Sequence, residues 1–214
     1  MIQIEDMSKS IKQKMVLEDI SLTMIDGKTY GLKGINGSGK TMLMRVISGL
    51  IYPTKGRVLI NGEELGKDLS FPKHMGLLLE NPSFLDSYTG YDNLKMLASL
   101  NGFVRDDEII NSLNRVGLQP DDKRKYRKYS LGMKQRLGIA AAIMERPEIL
   151  ILDEPLNALD TNGVQLFSKI ITEEKSRGAL IILACHEEEK LKEYADVIIV
   201  MENGKIIECQ GDHL

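Results

Sequence analysis

Apolar and polar residues alternate in two stretches of the amino-terminal half, "DISLTM" at 19 to 24, which runs into Asp26-Gly27, and "GRVLING", which ends in Asn61-Gly62. A period of two puts the apolar side chains on one face of a strand, and Asp-Gly and Asn-Gly favour tight turns. The two stretches predict an antiparallel sheet. From about residue 84 to 146 the apolar spacing turns helical, with Asp106 or Asp107 capping "EIINSLNRVG" and Ser130 capping the next helix. Beyond it, "EILILD" and "GALIILAC" are short continuous apolar runs separated by a helical stretch, the pattern of buried parallel strands joined by a crossover helix. The last segment, "DVIIVMENGKII", reads as strand, Asn-Gly turn and strand. The expected architecture is α/β: a mixed-sheet core, an antiparallel β edge subdomain and a helical subdomain inserted over about 84–146, within one domain spanning 1–214.

Charge and composition narrow the possible partners. With 28 basic and 31 acidic residues the net charge is −3, which exerts no global pull on nucleic acid or anionic lipid. The one basic run, "KRKYRKY" at 123 to 129, reads as a solvated approach to the helix after it, and no nucleic-acid partner is expected. Cys185 and Cys209 sit in no C-x-x-C pattern, so a disulfide framework or zinc site is not suggested and a reducing compartment is the natural setting. The longest apolar runs fall short of the ~18 residues a membrane span needs, and the start of the chain carries no basic-then-apolar leader. A soluble, cytoplasmic protein is expected, with any membrane role supplied by a partner and no appended regulatory domain after the final hairpin.

Residues 34 to 41, "GINGSGKT", fit G-x-x-x-x-G-K-[ST] between the strand-like "TYGLK" and the helical "MLMRVISG". The glycines let the backbone curl until successive N–H groups point at phosphate oxygens, and the helix N-terminus adds a favourable dipole. Lys40 supplies a positive charge between β- and γ-phosphates, and Thr41 offers a hydroxyl to Mg²⁺. Asn36, Gly37, Ser38, Gly39, Lys40 and Thr41 are the expected nucleotide contacts, and the core is expected to be that of a P-loop NTPase.

A phosphate-bound metal also needs a carboxylate, and "ILIL" delivers Asp153 and Glu154 at the end of a buried strand. Neighbouring strand residues face opposite ways, so Asp153 can serve the metal while Glu154 points toward the γ-phosphate and activates water. His186 follows directly on "ALIILAC", where an open α/β sheet presents its active-site end, and an imidazole there can hydrogen-bond the γ-phosphate. A second anion-binding helix start, "YSLGMKQRLG" at 129 to 138, lies far from the first.

In this order the motifs resemble the nucleotide-binding subunit of ATP-binding-cassette (ABC) transporters, over essentially the whole chain. "GINGSGKT" is similar to Walker A, "ILILDEP" to Walker B, "ALD" at 158 to 160 to the D-loop, His186 to the H-loop, and "YSLGM" to the signature usually written LSGGQ. The resemblance implies that two subunits sandwich two ATP head to tail. Ser130 and Gly132 would then read the γ-phosphate of the partner's nucleotide, and Asp160 would help at the interface. It also implies a transmembrane permease partner, a second copy of the chain or a related ATPase subunit, and a peripheral location on the inner face of the cell membrane.

Two positions depart from the family's usual pattern. Glu80, in "GLLLENPSF", stands where Gln is common and would add a negative oxygen ligand to Mg²⁺ and a third catalytic residue beside Glu154 and His186. With "SLGM", it resembles the branch of exporters that protect bacteria against bacitracin and lantibiotics. Ile11 falls where an aromatic residue commonly stacks on adenine, which implies weakened discrimination between ATP and GTP. The alternative is a soluble nucleotide-gated ABC-type ATPase or binding module with no membrane partner. Against it, Glu154 and His186 equip the chain for turnover, and the double cassettes of translation-associated members and the long coiled coil of DNA-repair members are lacking.

Overall fold

The computed structural model describes residues 1–80, 82–101, 104–185 and 187–211. In chain order, β1 (Ile2–Ile11), β2 (Lys14–Met24) and β3 (Thr29–Lys33) lead to α1 (Lys40–Ile47). Next come β4 (Lys55–Ile60), β5 (Glu63–Glu64) and β6 (Met75–Leu78), then three helices, α2 (Gly90–Asn101), α3 (Asp106–Arg115) and α4 (Leu131–Ile143). The chain closes with β7 (Ile149–Asp153), α5 (Thr161–Ser176), β8 (Leu180–Ala184), α6 (Glu188–Tyr194), β9 (Val197–Glu202) and β10 (Lys205–Gly211).

Among the described residues the strands form two sheets. One has the order β2-β1-β4-β5 and pairs antiparallel, as the alternating stretches predict. The other has the order β10-β9-β3-β8-β7-β6, parallel except for the β9–β10 hairpin. Buried parallel strands need apolar residues on both faces, and β7 shows why "ILIL" is continuous. Ile149 and Ile151 pack on the side of α1 and the antiparallel sheet with Ile4, Leu43 and Met44. Leu150 and Leu152 pack on the opposite side with Ile139 of α4 and Phe167 and Ile170 of α5. Each such side chain, fully removed from water, contributes about 1.5–3 kcal/mol.

Helices α2, α3 and α4 pack on one another, and α4 also lies on β6, so the segment from 90 to 143 rests on the edge of the parallel sheet. The start of α3 differs from expectation. Arg105 occupies the N-cap, where its N–H donates to the Glu108 carboxylate at 3.0 Å, and Asp106 and Asp107 fall inside the first turn. Their charges suit the positive end of the helix, so the acidic cluster does mark the boundary, one residue late. Ser130 caps α4 as its sequence position suggests, with Oγ accepting from Met133 N–H at 3.2 Å.

Candidate functional site

Strand β3 runs between β8 and β9, and it delivers the chain into the turn 34–39 at the carboxyl edge of the sheet. Gly39 is the N-cap of α1 with φ 110°, a backbone shape that a side chain would strain, and it provides no side-chain cap. The first N–H groups of α1 thus lack intrahelical partners and point into the turn. Lys40, nearly buried, folds back so that Nζ donates to the carbonyls of Gly34 at 2.6 Å and Ile35 at 3.1 Å. One residue on, Thr41 Oγ1 donates to Asp153 Oδ2 at 2.6 Å, tying the start of α1 to the end of β7.

These residues open onto a cleft of about 670 Å³, within the range that holds a nucleotide. Asn36, Gly37, Gly39, Lys40 and Thr41 form its floor, and Glu80, Asp153 and Glu154 form one flank. The structure therefore gathers most of the expected site residues from three separate segments. Ser38 is placed differently. Its side chain is buried under the turn beside Gly34, and its N–H donates to Ile35 O at 3.1 Å, so it tightens the loop instead of lining the cleft. Ile11 sits opposite Lys14 at the end of β1, 38% exposed, and the wall beside it is made by Lys14, Met15 and Val16. The residue expected to meet the base lies one strand away from those that line the cleft. His186 lies outside the described residues.

Glu154 takes φ 51°, a left-handed conformation that costs a non-glycine residue of order 1–3 kcal/mol and is held by its surroundings. Its N–H donates to Ala184 O at 3.0 Å. From α4, the buried Gln135 amide donates to the carbonyls of Glu154 at 3.2 Å and Pro155 at 3.1 Å, so the signature helix itself fixes the backbone at Glu154. Sequence reasoning missed Gln135, Asn157 and Asn203 at the cleft and Arg45 behind it. Only the i+4 spacing of Arg45 after Thr41 carried a signal.

Ser130, Gly132 and Asp160 line a different depression, of about 460 Å³, that shares no lining residue with the first. A Cβ on Gly132 would lie 2.8 Å from Ala158 O, so the turn into α4 touches the 158–160 loop closely. Asp160 caps α5 by accepting from Gly163 N–H at 2.8 Å and pairs with Arg136 at 2.5 Å. The Gly163 N–H first, and then the Arg136 guanidinium, hold its carboxyl below the usual range. In "KRKYRKY", Tyr126 and Tyr129 are buried in the core, leaving neither ring open for stacking.

The donor set suits a hard cation: one hydroxyl and two or three carboxylates, all oxygen. Among the described residues no cluster of three or more His, Cys, Asp or Glu forms a ready-made metal cage.

A P-loop at the carboxyl edge of a parallel sheet, with strand-end carboxylates and a helix-start signature in the same chain, defines an ATP-binding cassette. The ABC transporter pattern matches residues 17–157, and the chain belongs to that family. It is 48% identical to the ABC transporter ATP-binding protein YybJ of Bacillus subtilis, over 96% of this chain and 94% of that one. To the bacitracin transport ATP-binding protein BcrA of Enterococcus faecalis it is 39% identical, over 97% of this chain and 68% of that one. A solved ATP-binding subunit of an ABC transporter superposes with a TM-score of 0.89 at 26% identity, over 99% of this chain and 90% of that chain. The protein is an ATP-binding, ATP-hydrolysing ABC subunit. Among the described residues no helix is long and apolar enough to cross a membrane.

Proposed function

We propose that this chain drives export of peptide antibiotics of the bacitracin and lantibiotic kind by closing, as a dimer, around two ATP·Mg²⁺. It would work at the inner face of the cell membrane through a separate membrane-spanning subunit. The observation that carries the reading is that Ser130 and Gly132 open onto a depression distinct from the P-loop cleft of their own chain. A γ-phosphate held at Lys40 meets Ser130 only when a second subunit supplies it.

The α1 N-terminus and Lys40 bind and orient the triphosphate. Thr41, Asp153 and Glu80 would hold Mg²⁺, which supplies neutralisation of phosphate charge. Glu154, fixed by Gln135, takes a proton from the attacking water as its oxygen bonds to the γ-phosphorus. The bond from that phosphorus to the β–γ bridging oxygen breaks, leaving ADP and inorganic phosphate. His186 would steady the transferring phosphoryl group. Since the trans contacts exist only with the γ-phosphate present, ATP favours the closed pair and hydrolysis reopens it.

An apolar groove of about 300 Å³ between Phe84, Leu85, Met96, Leu97 and Leu100 supports docking of the membrane subunit beside the Glu80 loop. Leu85 and Leu100, 53% and 79% exposed, are apolar surface in want of a cover.

The test is the solution mass of Glu154→Gln with and without ATP·Mg²⁺, beside Glu154→Gln/Ser130→Arg. ATP should dimerise the first and leave the second monomeric while both bind nucleotide. A double variant that still dimerises removes Ser130 from the interface. For the substrate class, co-expression with the membrane subunit should raise the bacitracin concentration needed to stop growth, and unchanged sensitivity rejects that branch.

A further inference from the structure

The ion pair between Arg45 and Glu80 has no part in the mechanism above. Arg45 lies four residues beyond Thr41 on α1, so both side chains leave the same face of the helix one turn apart. That face looks onto the ends of β6 and β7. In the parallel register Leu78 pairs with Leu152, so Asp153 and the residues just after Leu78 emerge side by side. Thr41 holds Asp153, and Arg45 holds Glu80. Two adjacent strand ends are thus each gripped by a residue of the helix that follows the P-loop.

The two grips differ in kind. Asp153 is buried and its bond to Thr41 joins a hydroxyl to a carboxylate. Glu80 is 60% exposed and Arg45 35%, and an ion pair that wet is worth about 0–1 kcal/mol, weak enough to exchange. Glu80 lines the cleft while Arg45 stands behind it. Among the described residues Glu80 is the one carboxylate paired with Arg45. Glu80 also holds φ 58°, a left-handed backbone conformation.

Three carboxylates, Glu80, Asp153 and Glu154, surround a cleft that must admit a polyphosphate, and each adds repulsion until cations arrive. We propose that Arg45 is a positioning residue that keeps Glu80 as its counter-ion in the metal-free cleft and yields that carboxylate to the divalent cation entering with the nucleotide. The inference rests on the metal role given to Glu80 above. Arg45 lowers the charge barrier to nucleotide entry and competes with the metal for one ligand. Loading of metal and nucleotide is thereby coupled through a single side chain.

The test is a Mn²⁺ titration followed by electron paramagnetic resonance, without nucleotide and with a non-hydrolysable ATP analogue, together with fluorescent nucleotide binding in excess chelator. It is run on the wild type, Arg45→Gln, Arg45→Lys, Glu80→Gln and the Arg45→Gln/Glu80→Gln double variant. With about 1 kcal/mol at stake, Arg45→Gln should tighten Mn²⁺ binding about threefold to fivefold and weaken metal-free nucleotide binding by a similar factor. Arg45→Lys should recover most of both effects, because it restores the charge. Glu80→Gln should weaken Mn²⁺ binding and erase the effect of Arg45→Gln. If Glu80→Gln weakens Mn²⁺ binding and Arg45→Gln changes nothing, Glu80 serves the metal without competition and the inference is overturned. If Glu80→Gln leaves Mn²⁺ binding unchanged, the metal role of Glu80 fails first and this inference falls with it.

Discussion

Two helices of this chain begin beside a depression, and they begin differently. Helix α1 starts at a left-handed glycine with no side-chain cap, so its first N–H groups are left for whatever enters the cleft. Helix α4 starts at Ser130, whose hydroxyl already satisfies Met133 N–H. The first end has no side-chain partner of its own; the second already has one of its first N–H groups satisfied. A phosphate reaching α1 therefore replaces solvent, whereas one reaching α4 must share or displace a bond already made. That difference suits the roles proposed for them: a standing site for nucleotide, and a conditional one engaged only when a partner brings a γ-phosphate.

The sharpest way to break the comparison is Lys40→Ala. Its ammonium donates only to loop carbonyls, so its removal should spare folding while weakening nucleotide binding about ten- to a hundredfold, read by calorimetric titration. Gly132→Ala probes the other helix start. A methyl group 2.8 Å from Ala158 O must push the 158–160 loop, costing about 1–3 kcal/mol in urea unfolding. ATP-driven dimerisation should fail there while the monomer's nucleotide affinity stays unchanged. The smallest effect concerns what braces β3 as it enters the P-loop. Glu188 is drawn down to about 2 by Lys192 and then Lys33, the last residue of β3. Its folded value lies below its ordinary 4.5, so its stabilisation is present above that pH and is lost as pH falls from 4.5 toward 2. Glu188→Gln should slightly flatten the acid limb of a stability profile measured by denaturant midpoint.

How much of this was legible depends on the range of the interaction. The α/β class, the hairpin at Asn203-Gly204 and the two faces of β7 follow from periodicity, because burial on one or both sides of a strand leaves its mark residue by residue. The cap at Ser130 is local too, and so was readable. The start of α3 went one residue astray because the bond that sets it runs from the Arg105 backbone to Glu108, and backbone donors carry no residue code. That Lys14, Met15 and Val16 line the cleft while Ile11 sits opposite Lys14 could not be read in advance, because the shape of the β1–β2 tip decides which strand faces inward. Arg45 and Gln135 were hidden for another reason: their partners lie 35 and 19 or 20 residues away, and nothing in either segment announces the other.

The β9–β10 turn, finally, bears on when this protein becomes competent. Gly204 N–H donates to Ser38 O at 2.9 Å, and Gly204 O accepts from Glu18 N–H at 2.9 Å, so a late residue clasps both the P-loop and β2. Strand β3 likewise needs β8 and β9 as neighbours. During synthesis at about 5–20 residues per second, the phosphate-binding turn thus waits on the order of ten seconds for its clasp. Through that interval the newborn chain carries the motif without the grip, and nucleotide is first held once the β9–β10 turn has been made.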